Sequence, residues 1–214
     1  WMDSTTDLVQ ADYRRANEFV KKFRQNPAHP SISLERVTDS KDKNVWSARI
    51  TQNLRAILHK DLDNWTLLYA GQHDDAYKWA ETHQIQRHKV TGALQIVASS
   101  HLMEARFESR DENVPGLFDK HEDLYLLSLG IPESWLPTIR KINSEDLLYE
   151  VVEKVPTDVG ERLLDLADGK LVTPPIPVPL ERSAFESEDT RRRFVVLDDN
   201  LEMLEALEAP LAKW

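Results

Sequence analysis

The sequence predicts an α+β protein, with an antiparallel sheet and flanking helices followed by a small α-helical unit and a Pro-rich spacer. In the first half, apolar and polar residues alternate with a period of two, which is typical of half-buried strands. Residues 123–168 instead place apolar side chains at helical spacing. Residues 174–179 contain four prolines and interrupt all periodicity, so they predict an extended, semi-rigid segment.

The sheet is predicted from three alternating segments, residues 45–51, 54–59 and 65–70. In the first segment, Trp46 lies on the apolar parity and Arg49 on the polar one. The short connections between the segments have hairpin lengths and turn chemistry, which favours an antiparallel meander. One face of such a sheet either packs under a helix or remains available for binding.

Helices are predicted on both sides of the strands and through the second half. Residues 12–25 precede the sheet, and Asp74 is expected to cap a helix that follows Gly71. The second half is predicted to form further helices at residues 124–129, 133–141, 144–152 and 157–168.

Three regions are predicted along the chain: an α+β domain at residues 1–98, a helical unit at residues 99–172, and a spacer with a lead-in segment at residues 173–214. The proline run can be an ordered arm along the helical unit, a free linker or a ligand for a proline-binding domain. Beyond it, residues 193–197 have strand character and residues 200–211 have a helical pattern.

Composition restricts the classes of protein that the 214 residues can form. The chain has no cysteine, which excludes disulfides and thiolate metal sites. It has no signal peptide and no apolar run of membrane-spanning length, so we expect a cytoplasmic protein without a membrane partner.

The net charge of −10 is unevenly distributed, which bears on the class of partner. Residues 13–60 contain 11 Lys and Arg against 4 Asp and Glu, whereas residues 111–214 contain 11 against 23. A basic segment beside a free sheet face suits phosphate binding, and we therefore expect nucleic acid, DNA or RNA, as the partner. The expected nucleic-acid-binding residues are Lys43, Arg49, Arg55, His59 and Lys60.

Several segments together carry a likeness to a known family. They are Asn26-Pro27 with Pro30, KDKNVWSAR at residues 41–49, LRAILHK at residues 54–60 and YAGQHDDAYKWAE at residues 69–81. As a set, these segments resemble the RelE/ParE superfamily of small toxins, and more closely the RelE-like module at the N-terminus of certain bacterial UvrD-like superfamily-one helicases. Residues 123–136 and 163–169 look like the spacer that follows the module in those helicases.

The resemblance implies a RelE-like sheet that acts as a nucleic-acid-binding accessory region of a UvrD-like DNA helicase. The sequence contains no GxxxxGK[ST] loop, so we expect no cofactor here, and ATP and Mg²⁺ only if a helicase core follows. Two alternatives remain open. One is a metal-independent endoribonuclease resembling the messenger-RNA-cleaving toxins, and the other is a protein-interaction module for an antitoxin-like or helicase partner.

For the endoribonuclease, the resemblance implies Arg55, His73 and Tyr77 as catalytic residues, with Arg49 and Lys43 contacting phosphate. In the ribonucleases it resembles, a basic side chain removes the 2′-OH proton, an acid protonates the leaving oxygen, and cations stabilise the transition state. The spacing of His73 and Tyr77 only approximates the family pattern.

Each candidate residue also has a purely structural interpretation. His73 and Tyr77 can cap the sheet through hydrogen bonds, and Arg55 can form an ordinary salt bridge with Asp74 or Asp75. The aromatic residues of this region are expected in the core, with base stacking as the alternative; they are Trp46, Trp65 and Trp79.

Histidines in this region imitate a zinc site, and the adjacent carboxylates Asp74-Asp75 are expected at a helix start rather than on a metal. His73, His83 and His88 lack cysteine or a paired glutamate at metal-ligand spacing, so no metal site is expected.

Overall fold

The computed structural model describes residues 1–61, 64–103 and 114–196. These residues form two compact units, one of Trp1–Gln84 with Val196 and the other of Ile85–Val195. The division of the chain into residues 1–98, 99–172 and 173–214 stays a prediction about domain organisation.

The first unit contains the predicted antiparallel sheet. Its strands are β1 (Glu35–Arg36), β2 (Val45–Arg49), β3 (Leu54–Asp61) and β4 (Asn64–Gln72), and they pair in chain order. The three strands expected from alternation are therefore confirmed. The two-residue strand β1 was not predicted.

Among the described residues of this unit, three helices accompany the sheet: α1 (Met2–Thr6), α2 (Gln10–Gln25) and α3 (His73–Thr82). The buried side chains Phe19 and Phe23 of α2 pack with Ala48, Ala56 and Leu58, so α2 covers the face that carries these residues. We call it the α2 face. Helix α3 contacts β3 and β4 from the opposite side, which we call the α3 face.

Helix α3 begins at His73, and its N-cap is Gln72 rather than the predicted Asp74. Asp74 and Asp75 lie in its first turn, where carboxylates favour the positive end of the helix dipole. The sequence left one face of the sheet either covered by a helix or available for binding. In the structure, a helix packs against part of each face.

The second unit begins within a two-stranded sheet of β5 (His83–Arg87) and β6 (Leu94–Ala98). Its helices are α4 (Asp123–Ser128), α5 (Leu136–Ile139), α6 (Glu145–Val152), α7 (Thr157–Ala167) and α8 (Glu188–Arg193). They enclose a core that includes Phe118, Trp135 and Leu163, all fully buried.

Local signals predicted α4, α6 and α7 of this unit, whereas α8 was not predicted. The hydroxyl of Ser144 accepts a hydrogen bond from the Leu147 amide and caps α6, as its sequence indicates. Helix α7 stops before Gly169, which has a φ of +76°. Residues 133–141 form a short 3₁₀ turn and the four-residue α5 rather than one continuous helix.

The proline run forms an ordered arm. This favours the ordered-arm interpretation over a free linker. The Val178 amide donates to the Thr91 carbonyl (2.9 Å), and Arg87 donates to the carbonyls of Pro179 and Leu180. At the other end of the run, the Tyr125 hydroxyl donates to the Val172 carbonyl (2.7 Å).

After the arm, α8 is held by a buried group of ion pairs. Arg162 binds Asp189 through two hydrogen bonds of 2.6 and 2.9 Å, and Arg193 binds Asp158 through two of 2.6 and 2.7 Å. The strand predicted at residues 193–197 is wrong for residues 193–196, the part that the structure describes. Arg193 is instead the last residue of α8, from which its side chain reaches Asp158. The helix predicted at residues 200–211 lies outside the described residues.

Among the described residues, no helix combines the length and apolar character that crossing a membrane requires.

Candidate functional site

Polar side chains converge on the α3 face around the hydroxyl of Tyr77. This hydroxyl donates to Glu35 Oε1 (2.7 Å) and lies 2.9 Å from Ser47 Oγ. The His73 ring stacks on the Tyr77 ring with centroids 4.7 Å apart, and Arg55 lies close enough for its charge to act on the phenol. We call Glu35, Ser47, Arg55, His73 and Tyr77 the tyrosine cluster.

The environment keeps Tyr77 protonated at neutral pH. Burial raises the pKa of the phenol, and the Glu35 carboxylate raises it further, while the Ser47 hydrogen bond and the Arg55 charge act in the opposite direction. A protonated phenol bonded to a carboxylate can supply a proton to a leaving oxygen, and the carboxylate can accept one.

Arg55 occupies a more buried position than the sequence suggests. It is 8% exposed, and its Nη1 donates to the carbonyls of Thr51, Gln52 and Leu54. These bonds hold the turn between β2 and β3. The Nη1 group of Arg55 therefore binds main-chain oxygens. It does not bind Asp74 or Asp75, the salt-bridge partners suggested by the sequence.

His73 is an accessible candidate acid or base of the cluster. Its side chain is 50% exposed, and Nδ1 lies 2.9 Å from Asp74 Oδ1. The structure thus brings the three predicted catalytic residues to one end of the α3 face, but their catalytic roles stay a prediction.

The five predicted nucleic-acid-binding residues do not share one surface. Arg49 and Arg55 are register partners on the α3 face, where His59 also lies, whereas Lys60 belongs to the α2 face and Lys43 to the exposed turn before β2. Arg49 and Lys43 are exposed, and Lys60 is half-buried.

His59 is buried against an acid. It is 9% exposed, and its Nε2 lies 3.3 Å from Asp42 Oδ2. Burial lowers its pKa and outweighs the opposite effects of Asp42 and Asp61, so the ring is neutral at pH 7 and offers a phosphate no charge.

The α2 face carries the larger set of accessible cations. Helix α2 exposes Arg14, Lys21, Lys22 and Arg24 to solvent. Beside the helix, Arg36 Cζ lies 5.2 Å from the Trp46 ring centroid, and Lys60 Nζ lies 5.3 Å from that of Trp65. The exposed cations of α2 therefore lie on the same side of the sheet as two cations that contact aromatic rings.

The tryptophans expected in the core are only partly buried. Trp46 and Trp65 are half-buried on the α2 face, with ring centroids 5.9 Å apart. Trp79, also half-buried, stacks between Tyr69 and His83 at 5.3 and 4.4 Å.

Sequence reasoning missed Glu35, Ser47 and Arg36. Ser47 could have been found, because it shares the parity of Arg49 in β2. Glu35 and Arg36 form a strand too short to show alternation, so their positions depend on pairing with β2.

Within residues 1–61, 64–103 and 114–196, no group of three or more His, Asp and Glu side chains is arranged to hold a metal ion. Comparisons of the chain with protein-family models, curated proteins and solved structures gave no match, so the RelE-like and helicase assignments stay predictions.

Proposed function

We propose that the first unit is a nucleic-acid-binding module that serves as the accessory region of a UvrD-like DNA helicase. The observation that carries the proposal is the concentration of exposed cations on the α2 face. Phosphate neutralisation by Lys and Arg supplies most of the sequence-independent affinity for nucleic acid.

The placement of charge matters more here than its total. Residues 1–84 contain 12 Lys and Arg and 12 Asp and Glu, so their formal charge is zero. Asp74 and Asp75 lie on α3, whereas Lys21, Lys22 and Arg24 lie on α2, against the other face of the sheet. Helix α2 holds five Lys and Arg against two Asp and Glu, so its exposed side can attract phosphates.

The helicase context rests on the sequence resemblance. The direct test is to read the coding sequence downstream of Trp214. A GxxxxGK[ST] loop there would support a helicase motor domain and would supply the site for ATP and Mg²⁺. A downstream sequence without that loop contradicts the helicase context but leaves nucleic-acid binding standing.

Charge removal on α2 tests the binding proposal. Labelled single-stranded RNA and DNA are titrated with the chain in chelator, between about 50 and about 200 mM salt. We expect the double substitution Lys22→Gln and Arg24→Gln to weaken binding and to reduce the salt slope by about 0.7 for each phosphate that is no longer neutralised. The matched control is Lys141→Gln with Lys154→Gln, which removes two exposed charges from the second unit.

Equal decreases in affinity for the two double variants would show that α2 has no specific role. If the chain neither binds nor cleaves any oligonucleotide, the protein-interaction module is favoured instead.

The tyrosine cluster favours a second candidate, the metal-independent endoribonuclease. In that reaction the ribose 2′-oxygen attacks the adjacent phosphorus as Glu35 or His73 takes its proton. The 5′-oxygen leaves with a proton from Tyr77, which gives a cyclic phosphate and a 5′-hydroxyl. In this reaction Arg49 and Arg55, which are register partners, would stabilise the added negative charge.

RNA incubated with the chain in chelator tests this candidate. We expect Tyr77→Phe to lower the cleavage rate by about 10²-fold or more, because it removes the proton donor. Tyr149→Phe is the control, since Tyr149 is 55% exposed in the second unit. Unchanged cleavage in Tyr77→Phe, or an equal decrease in the control, contradicts the assignment.

A further inference from the structure

Four side chains form a continuous strip across the α2 face. Arg36 pairs in register with Trp46, and Lys60 pairs with Trp65, so that each cation lies over the indole beside it. The two indoles meet edge to face at 5.9 Å. We call Arg36, Trp46, Lys60 and Trp65 the tryptophan platform.

The platform tryptophans are less buried than a core tryptophan of this protein. Trp135 in the second unit is fully buried, and its indole N–H donates to the Ala98 carbonyl (2.8 Å). Trp46 and Trp65 are instead half-buried; Trp65 also packs against the core at Phe23, but one group over each indole is the end of a long cationic side chain. Such a cover can move without disturbing the core.

An exchange of partners on these rings is energetically favourable. A nucleic-acid base stacked on an aromatic side chain contributes more binding free energy than a cation–π contact at an accessible site. When a base displaces the cation from the ring, the cation is free to contact the neighbouring phosphate.

Cations also flank the residue through which α2 contacts the platform. The Phe23 ring meets Trp65 edge-on at 5.4 Å, and its sequence neighbours Lys22 and Arg24 are exposed. These cations are candidates for contacts to the backbone of a strand that has one base on Trp65.

We infer that the tryptophan platform stacks unpaired bases, so that the ligand of the first unit is single-stranded nucleic acid. This inference rests on the proposed function and names its substrate class. A duplex offers its base faces to one another, whereas a single strand can present them to the indoles. Stacking is tolerant of sequence, because every base has a π face.

The test separates stacking from phosphate attraction. The whole chain is titrated with three labelled ligands of about 12 nucleotides per strand: a thymine oligonucleotide, an abasic strand with the same phosphates, and a duplex. We expect the oligonucleotide to bind about 5- to 150-fold more tightly than the abasic strand and to quench tryptophan fluorescence.

Substitutions locate the effect. Trp65→Leu is expected to weaken oligonucleotide binding by the same range while leaving abasic-strand binding unchanged. Trp79→Leu is the matched control, because Trp79 is half-buried on the α3 face. If Trp65→Leu does not fold, Lys60→Gln replaces it. That variant should weaken oligonucleotide binding by less than about 10-fold and lower the salt slope by about 0.7.

The possible results separate stacking on the platform from nucleic-acid binding in general. Three results would each overturn the platform while nucleic-acid binding stands. They are equal affinity for the oligonucleotide and the abasic strand, a preference for the duplex, and an equal decrease in affinity in Trp65→Leu and Trp79→Leu. No binding of any of the three ligands overturns the proposed function as well.

Discussion

Tyr77 is the residue on which the tyrosine cluster depends, because its hydroxyl joins two strands to α3. It donates to Glu35 in β1 and contacts Ser47 in β2. Without the hydroxyl, Glu35 and Ser47 must find water or each other, and their oxygens already lie 3.4 Å apart.

We therefore predict that Tyr77→Phe lowers the free energy of unfolding by about 1 kcal/mol. Urea unfolding measures the change, and Tyr149→Phe is the control, because Tyr149 is mostly exposed. A Tyr77→Phe variant as stable as the control would show that the hydrogen bonds to Glu35 and Ser47 do not stabilise the fold.

His88 makes the second unit sensitive to pH. It is 2% exposed, its Nε2 lies 2.8 Å from the Ile131 carbonyl, and its Nδ1 accepts from the Thr91 amide (3.1 Å). These contacts need a neutral ring with its proton on Nε2. Burial lowers the pKa of His88, and the Ile131 carbonyl only partly opposes this effect.

Because the folded-state pKa is lowered, the stabilisation is fully present above the unfolded pKa of about 6.5 and is lost as the pH falls towards the folded pKa. We predict that stability decreases in that window by up to about 1.4 kcal/mol per pH unit for this one proton. Thermal or urea unfolding at several pH values checks it. His88→Gln should have a shallower slope, and an unchanged slope contradicts the assignment to His88.

At the scale of elements, the docked proline arm depends on Gly92 in the β5–β6 turn. Gly92 has a φ of +69°, and a Cβ there would lie 1.8 Å from the Val178 carbonyl oxygen. Any side chain therefore brings both backbone strain and a clash with the arm.

We predict that Gly92→Ala displaces the arm and destabilises the second unit by more than the ~1–2 kcal/mol of left-handed strain alone. Trypsin cleavage after the exposed Arg182 should also become faster. Gly169→Ala is the control, since Gly169 has a φ of +76° and no atom within 4 Å of an added Cβ. Equal effects of the two substitutions would contradict the docking role of Gly92.

How far the sequence predicts each element depends on how local its determinants are. Strands β2 to β4 and helices α6 and α7 follow from alternation, a serine cap and a terminal glycine, all of which act over a few residues. The end of α8 does not, because Arg193 is attracted to Asp158, 35 residues earlier in the chain.

The same reason explains the partial prediction of the candidate site. His73 and Tyr77 are recognisable together because they are four residues apart on one helix. Glu35 joins Tyr77 from 42 residues away through a two-residue strand, so no local pattern indicates it. Arg55 was assigned from its strand position, which does not reveal that Nη1 binds the turn carbonyls.

At the scale of the whole molecule, residues 1–84 and 85–195 differ in formal charge. Residues 85–195 contain 14 Lys and Arg and 20 Asp and Glu, a formal charge of −6, whereas residues 1–84 are neutral overall with their cations concentrated on α2. Nucleic-acid contacts are therefore expected in the first unit, and the second unit is expected to repel phosphate.

The most direct test of nucleic-acid binding on the α2 face is a nuclear magnetic resonance titration of the ¹⁵N-labelled chain with a single-stranded oligonucleotide. We predict that the amides at the C-terminal end of α2 and the indole N–H groups of Trp46 and Trp65 shift. The indole of Trp135, buried in the second unit, should stay unchanged. Shifts confined to Ile85–Val195, or no shifts at all, would contradict nucleic-acid binding on the α2 face.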